Sequence, residues 1–304
     1  MTNFFQQVVS GVMAGSLYAL LALAFVLVFR ASGVINFSQG EMAMVTTYIA
    51  WIAAQHMPYA LAIVVMLAAS FVLGCVVFRV VIARFEGRSE LQTFVAVIML
   101  FLIFDSIGLA LFGPDPRDFK EPFRGKPLDI GGITIPIHDL YIVASAVAIV
   151  VVLYLLFQRT RLGLALRATA TDRTAAELMG VPTQRMLTVG WGLAGAAGGM
   201  AGVLIAPVVT LTPALMGSVL VAAVCALIIG GLESPGGAII GGVLVGVIQN
   251  LVSTYLADVV HFLNLPLKVT DANAYRDIAT AVLLLVVLLI RPHGLFGRSA
   301  VAKV

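Results

Sequence analysis

QRTRLGLALRATATDRTAAELMGVPTQR, residues Gln158 to Arg185, sets five arginines between two oily runs, and the rest of the chain is read from it. On either side, residues about 138 to 157 and about 187 to 209 are apolar over roughly the 20 residues that a helix needs to cross a hydrocarbon core. A basic stretch between two such runs is a loop on the side of a membrane where positive charge collects. Inside it, Thr174 and Glu177 have the Thr-x-x-Glu spacing of a capping box, Gly180 suits a left-handed stop, and Pro182 prevents continuation. These signals predict a helix of about two turns. Ala175, Leu178 and Met179 fall at i, i+3 and i+4 and give it a small apolar face, with Arg173 and Glu177 elsewhere on the turn. Isolated helices below roughly 12 residues are marginal in water, so a partner must hold this one.

The same alternation of oil and charge runs through the whole sequence. Hydrophobic residues make up 61% and charged residues 11%, against the roughly 25% charged content of soluble domains. Mean hydropathy is +1.07. Nine apolar segments are each near the length of a span: about 10 to 29, 37 to 55, 59 to 78, 91 to 112, 138 to 157, 187 to 209, 215 to 231, 237 to 256 and 276 to 290. The first has no Lys or Arg before it and no small-residue cleavage site, so it reads as a span and not as a signal peptide. The expected fold is all-α, a polytopic transmembrane bundle of about 8 to 9 spans with broken or re-entrant segments. Apolar helices pack laterally in lipid, so residues 1–304 are expected to form one domain, with a cytoplasmic loop at about 158–186 and an outer loop at about 113–137.

Charge sets the expected orientation. With the N-terminus outside, the inner loops hold Arg30, Arg79, Arg84, Arg88, Arg159, Arg161, Arg167, Arg173, Arg185, Arg291, Arg298 and Lys303. The outer side holds Arg117, Lys120, Arg124, Lys126, Lys268 and Arg276, and those of the 113–137 loop are matched by Asp115, Asp118, Glu121 and Asp129. The positive-inside rule favours this orientation, with the C-terminus cytoplasmic. Trp51, Tyr59, Tyr141, Tyr255 and Tyr275 then fall near the outer interface as an aromatic belt. The net charge of +3 is scattered over short loops without an interleaved aromatic patch, which excludes a nucleic-acid surface. Cys75 and Cys225 sit inside apolar runs with no metal or CxxC spacing.

Small-xxx-small faces recur at Gly11/Gly15, Gly195/Gly199, Gly198/Gly202, Gly237/Gly241 and Gly242/Gly246. They allow close backbone approach, either inside a tight bundle or at a subunit interface. Two polar interruptions stand out. In GVINFSQGEMAM, Asn36, Ser38, Gln39 and Glu41 enter at the start of an apolar segment; in GGLESPGGAIIGG, Glu233 and Pro235 separate two others. Irregular backbone at membrane depth is tolerated only against protein or a water-filled cavity, and broken helices of this kind mark transport paths; a tight inner turn is the other reading, most of all for Glu233. Asp105, within FLIFDSIG, is an ionisable group inside a span and should face the interior, for structure or for transport.

INFSQGEMAM, RTRLGLALRATATDRTAAELMGVP, GGLESPGGAIIGGVLVG and LLIRPHGLFGR, in this order and spacing, resemble the LivH-type permeases of branched-chain amino acid ABC importers over essentially the whole chain. TAAELMG is also similar to the EAA-x-x-x-G loop by which importer permeases contact their ATPases: Ala175, Ala176 and Gly180 match, while Thr174 stands where that pattern has glutamate. The resemblance implies a heterodimer with a LivM-like second permease, two cytoplasmic ATPase subunits that use ATP and magnesium, and a periplasmic substrate-binding protein, all at a bacterial inner membrane. It places Arg173, Thr174, Ala175, Ala176, Glu177, Leu178, Met179 and Gly180 at the ATPase. Similar permeases also carry urea, short amides and aromatic or other small carboxylates, and selectivity in such importers lies largely in the binding protein.

The residues themselves agree with a non-enzymatic subunit. No G-x-x-x-x-G-K-[ST] loop is present to cradle ATP, and no HExxH or GxSxG occurs. His56, His138, His261 and His293 are far apart in sequence, so no cofactor, metal or catalytic residue is expected in this chain. Two other classes remain at this stage: an ion-coupled carrier in which Glu41 and Asp105 titrate, and a passive channel. Neither needs a cytoplasmic docking helix.

Overall fold

The computed structural model describes residues 2–119, 125–262, 272–291 and 294–296. Lys120, Glu121, Arg124, Lys268, His293, Arg298 and Lys303 lie outside the described residues. Each of the nine apolar segments is a helix: α1 (Thr2–Ser32), α2 (Gln39–His56), α3 (Tyr59–Val80), α4 (Glu90–Phe112), α5 (Ile137–Arg159), α8 (Thr183–Val209), α9 (Gly217–Gly230), α10 (Pro235–Phe262) and α11 (Ala272–Ile290). The basic stretch between α5 and α8 folds as two short helices, α6 (Arg161–Thr171) and α7 (Arg173–Leu178). Among the described residues six helices are long and apolar enough to cross a membrane, and two shorter apolar helices accompany them at Gly217–Gly230 and Ile278–Ile290. α2 falls outside that set because Gln39, Glu41, Thr46 and Thr47 dilute its apolarity; all four are buried against protein, where lipid imposes no such requirement.

The chain divides into two compact units interleaved in sequence, Met1–Ala22, Glu121–Ser145 and Ser218–Val304 in one, Leu23–Lys120 and Ala146–Gly217 in the other. In the second unit α8 is the centre. Its glycines form two faces: a Cβ at Gly195 or Gly199 would strike Ser70 on α3, and one at Gly198 or Gly202 would strike Gln39 or Thr47 on α2. In return, Gly74 of α3 lies against the backbone of Trp191 and Gly192. Without side chains at these positions the helix axes approach closely, which is how helices associate where the surrounding lipid is as apolar as the protein. Around the contact, Phe78, Trp191, Val97, Leu100 and Phe104 form a continuous core.

The outer helices show the inverse pattern. On α3 the buried stripe is Ala62, Met66, Ser70, Gly74 and Val77, at i, i+3 and i+4 spacing, while Leu61, Val64, Val72 and Val76 are exposed. On α4 the stripe is Thr93, Val97, Leu100, Phe104 and Gly108, with Leu91, Met99, Ile103 and Leu111 outward. Each of these helices therefore turns one narrow stripe, with a small residue at Gly74 or Gly108, to the protein and leaves a wide apolar face outward. α4 begins with a capping box, Ser89 accepting from the Gln92 amide and Gln92 from that of Ser89.

In the first unit the predicted glycine faces pair with one another. Gly11 and Gly15 of α1 lie on Gly246, Val247, Gly242 and Val243 of α10, and Gly237 and Gly241 lie on Gly230 and Ala226 of α9. All five faces are thus used within the chain. Gln249 of α10 donates to the Thr280 hydroxyl of α11, and Cys225 of α9 donates to the Thr280 carbonyl. The 113–137 loop holds an element that the sequence reading did not anticipate, an antiparallel hairpin of β1 (Leu128–Ile130) and β2 (Ile133–Ile135). Gly131 and Gly132 turn it, both at positive φ (62° and 87°), the conformation that a two-residue hairpin needs.

Candidate functional site

The short helix predicted in the basic stretch is present as α7, but its cap is not the predicted one. Thr174 and Glu177 do not form a capping box. Asp172 ends α6 and is the N-cap of α7, its Oδ1 accepting from the Ala175 amide at 2.9 Å. Asp is as good a cap as Thr, and the break after Thr171 puts Asp172 in the extended conformation that an N-cap adopts (φ −153°, ψ 106°). Glu177 is released for other work. It accepts from the Thr183 hydroxyl at the start of α8 and from Arg173 Nε at 3.2 Å. Gly180 takes the stop position at φ 79°, and Val181 donates to the Ala176 carbonyl, closing the turn.

Arg173 is the hinge pin of this element. Its Nη2 donates to Glu86 Oε2 at 3.0 Å, and Gln184 Nε2 donates to the same oxygen at 2.8 Å. Glu86 stands in the turn between the 3-10 helix Ile82–Arg84 and α4. The hydrogen bond and charge of Glu86 push the Arg173 guanidinium above its ordinary value. The Thr183 hydroxyl, and after it Arg173, hold the Glu177 carboxyl below the ordinary carboxylate range. A carboxylate lowered in this way supports the arrangement above its ordinary range and loses that support as pH falls through the lowered value, so the brace is intact near neutrality. Glu86, Asp172, Thr183 and Gln184 were not singled out from the sequence. Asp172 had a signal, an Asp two residues before the run TAAEL; Glu86 had none.

The apolar face of α7 does not turn inward as a unit. Ala176 is buried at 5%, whereas Leu178 and Met179 are each 84% exposed, and Thr174 and Ala175 are exposed as well. The helix is fixed to the protein through Asp172, Arg173, Ala176 and Glu177 and holds two large apolar side chains away from it.

Asn36, Ser38, Gln39 and Glu41 come together where α1 gives way to α2. Gly33, at φ 70°, ends α1, and α2 starts six residues later. Asn36, Ser38 and Gln39 are at most 1% exposed. Ser38 donates to Asn36 Oδ1 at 2.6 Å, Asn36 Nδ2 donates to Gln39 Oε1 at 3.1 Å, and Gln39 Nε2 donates to the Ala194 carbonyl of α8 at 2.9 Å. This chain of bonds ties the break to the centre of the unit, and Gly198 supplies the room for the Gln39 amide. Glu41 is 4% exposed, and its Oε2 has no hydrogen-bond partner. Asp105 of α4 faces it closely enough for their charges to interact. One turn further along, Met44 meets Gly108, and one more turn on Tyr48 stacks on Phe112 at 3.9 Å. α2 and α4 therefore run parallel in a fixed register, with the two acids at one end and the stacked rings at the other. Glu233 is apart from this group: it belongs to the first unit, exposed in the turn between α9 and α10, where Ser234 Oγ accepts from the Gly237 amide. At the other end of the second unit, Trp51 donates to the Asp118 carbonyl at 3.1 Å, and Arg117 lies over its ring.

Among the described residues no group of three or more His, Cys, Asp or Glu could hold a metal ion. The arrangement offers a polar seam, a break between two helices and a presented helix. Comparison with known proteins gives these a context. Residues 7–289 match the family described as branched-chain amino acid transport system / permease component. The chain is 28% identical to the high-affinity branched-chain amino acid transport system permease protein LivH of Escherichia coli (strain K12), with 99% of this chain and 98% of that protein covered. It is 27% identical to BraD of Pseudomonas aeruginosa, a permease protein of the same description, over 99% of this chain and 98% of the relative. It is also 27% identical to a probable branched-chain amino acid transport permease protein LivH of Methanocaldococcus jannaschii, over 93% and 89%. A many-helix membrane chain matched from end to end in this way belongs to the family of branched-chain amino acid transport system permease components.

Proposed function

We propose that this chain is the membrane-spanning subunit of an ATP-driven ABC importer that moves a small solute, foremost a branched-chain or other hydrophobic amino acid, delivered by a periplasmic binding protein. The two units work as one permease domain beside a LivM-like second permease, and two ATPase subunits supply ATP hydrolysis with magnesium. The observation that carries this reading is α7: six residues, capped by Asp172, braced by Arg173 to Glu86, and presenting Leu178 and Met179 at 84% exposure. Large apolar side chains held outward on an anchored helix fit a groove in a partner protein. A chain without a phosphate-binding loop needs such a contact to be driven by ATP.

Force delivered to α7 reaches the membrane helices by two routes. Glu177 and Thr183 join it to the start of α8, and Glu86 joins it to the turn before α4. α8 in turn holds Gln39, so movement of α8 pulls on the break between α1 and α2. Asn36, Ser38, Gln39, Glu41 and Asp105 in the second unit, and Glu233 in the first, are proposed as translocation path or hinge residues. Polar groups there exchange hydrogen bonds with water and solute as the path opens, and few, weak contacts keep release fast.

The test is uptake of labelled leucine by liposomes holding the permease pair, its ATPases and its binding protein, with ATP hydrolysis followed in parallel. Leu178→Asp with Met179→Asp is expected to abolish both uptake and ATPase co-purification while the permease still elutes as a folded membrane protein. Full uptake by that double variant would refute the docking role.

A further inference from the structure

We propose that residues 113–119 are a strap that closes one end of the α2–α4 seam and opens as its gate, with Arg117 as the latch and Thr210 as the strained residue that the closed latch holds. The strap lies wholly in the second unit, at the end away from α7: α4 starts beside the turn that carries Glu86 and ends at Phe112, where the strap begins. Its sequence, GPDPRDF, divides into a hinge, an arm and a latch. Gly113 is the hinge. Its φ is 72°, and no atom beyond its chain neighbours lies within 4 Å of where a Cβ would stand, so the backbone can turn there without displacing anything. Pro114, Asp115 and Pro116 form an exposed arm, which the prolines stiffen. The latch is made by the last three residues. The Arg117 amide donates to the Leu211 carbonyl at 2.9 Å and the Leu211 amide to the Arg117 carbonyl at 3.1 Å. The Arg117 guanidinium stands 5.4 Å from the centre of the Trp51 ring, and Trp51 Nε1 donates to the Asp118 carbonyl. Phe119, buried at 7%, meets Tyr59 edge to face.

Two features mark the strap as a moving part and not a fixed cover. Thr210, at the end of α8 and next to Leu211, has φ 77° and ψ 137°, and it is the one non-glycine residue at positive φ among the described residues. A β-branched residue is strained there and stays only while its surroundings hold it. On its C-terminal side the holding contact is the pair of bonds to Arg117. Strain of this kind is similar in size to a few partly exposed polar contacts, so the closed state is held by a small margin. The second feature is Tyr48, 0% exposed and stacked on Phe112, with a buried hydroxyl that has no hydrogen-bond partner. Arg117 is close enough for its charge to act on that hydroxyl, which sets it at the strap. A buried hydroxyl without a partner is costly and gains one when water enters. Tyr48 follows Glu41 by two turns on one face of α2, as Phe112 follows Asp105 on α4, so opening the strap brings water to the end of the row that holds the two acids. That this row is a path rests on the proposed function; that the strap opens does not.

Amide hydrogen exchange of the assembled transporter in nanodiscs tests the latch without reference to transport. The Arg117 and Leu211 amides are bonded to each other's carbonyls, so peptides that carry them report opening. Arg117→Gln is expected to speed their exchange about threefold, the worth of an exposed cation–π contact. Trp51→Leu should speed it about tenfold, because the bond to Asp118 is lost as well. Thr210→Gly should slow it about fivefold, since glycine carries no strain at φ 77°. Exchange in α3 should not change, which separates an opened latch from a loosened fold. The gate is tested by leucine uptake. With Cys75 and Cys225 replaced by alanine, Arg117→Cys with Leu211→Cys sets two thiols across an antiparallel pair whose Cα spacing a disulfide accepts. Oxidation is expected to lower uptake at least tenfold and a reductant to restore it. Thr210→Gly, which keeps every latch residue, should slow uptake about fivefold, so the gate does not rest on the cross-linked form alone. Unchanged exchange in both Trp51→Leu and Thr210→Gly, or an equal rise through α3, would overturn the latch. Full uptake by the cross-linked form or by Thr210→Gly would overturn the gate. Failure of the proposed function is read separately: the unaltered assembly would then take up no leucine, while exchange still decides whether the strap opens.

Discussion

Glu86→Gln is the most informative single change, because it keeps the shape of the side chain and removes one charge from the brace of α7. Glu86 Oε2 accepts from Arg173 at 3.0 Å and from Gln184 at 2.8 Å. The two charged side chains are 24% and 39% exposed, so the pair is screened and is worth far less than a dry one. After that discount the lost attraction is about 1 kcal/mol, since the amide oxygen still accepts one hydrogen bond. A helix of six residues has little stability of its own, so this loss falls directly on the population of the braced state, a factor of about five. The bundle is untouched, because Glu86 lies in a turn outside the glycine contacts of α2, α3 and α8. The assay is the affinity of the purified permease for its ATPase subunits, measured at about 0.1 M and about 1 M salt, together with thermal unfolding. We expect about fivefold weaker binding at low salt, a smaller difference at high salt where the pair is already screened, and the same unfolding temperature. Arg173→Gln on top of Glu86→Gln should add little of the Glu86 part of its own effect, because the two changes remove one interaction. Unchanged affinity in Glu86→Gln at low salt would refute the claim that this pair positions α7, and a lowered unfolding temperature would place its role in the fold.

Gly180→Val should cost about 1 to 2 kcal/mol at the end of α7, because φ is 79° there and nothing else crowds the position, so the cost is that of the backbone alone; Gly180→Asn should then be tolerated, and equal loss of uptake in both would show that volume and not φ matters. Gln39→Leu removes the bond to the Ala194 carbonyl and leaves the Asn36 amide with only Met42 Sδ at 3.6 Å, a cost of about 1 to 3 kcal/mol at the break between α1 and α2. Uptake is expected to fall while assembly with the ATPases persists, and unchanged uptake in both Gln39→Leu and Asn36→Leu would reduce the cluster to a packing role.

What the sequence could and could not convey follows from the range of each interaction. Runs of apolar residues and the stop at Gly180 are local, so all nine apolar helices and the end of α7 were legible. The glycine faces were legible as sticky surfaces but not as pairs: nothing in Gly195 and Gly199 names Ser70, and only the fold brings α3 to that side of α8 and α2 to the Gly198 side. The cap was misread because two local signals competed. Thr174 had the better pattern, while the break after Thr171, set by α6, gave the role to Asp172. Glu86 was invisible in principle, being 87 residues from Arg173 in an ordinary polar turn. The two acids show the same limit in another form. The spacing of 64 residues that sets Glu41 by Asp105, Met44 by Gly108 and Tyr48 by Phe112 has no meaning until α2 and α4 lie parallel. Once they do, the seam explains why a membrane helix can carry Gln39, Glu41, Thr46 and Thr47. The protein around α2 takes the place of the lipid, so its polarity is a property of its neighbours as much as of its own sequence.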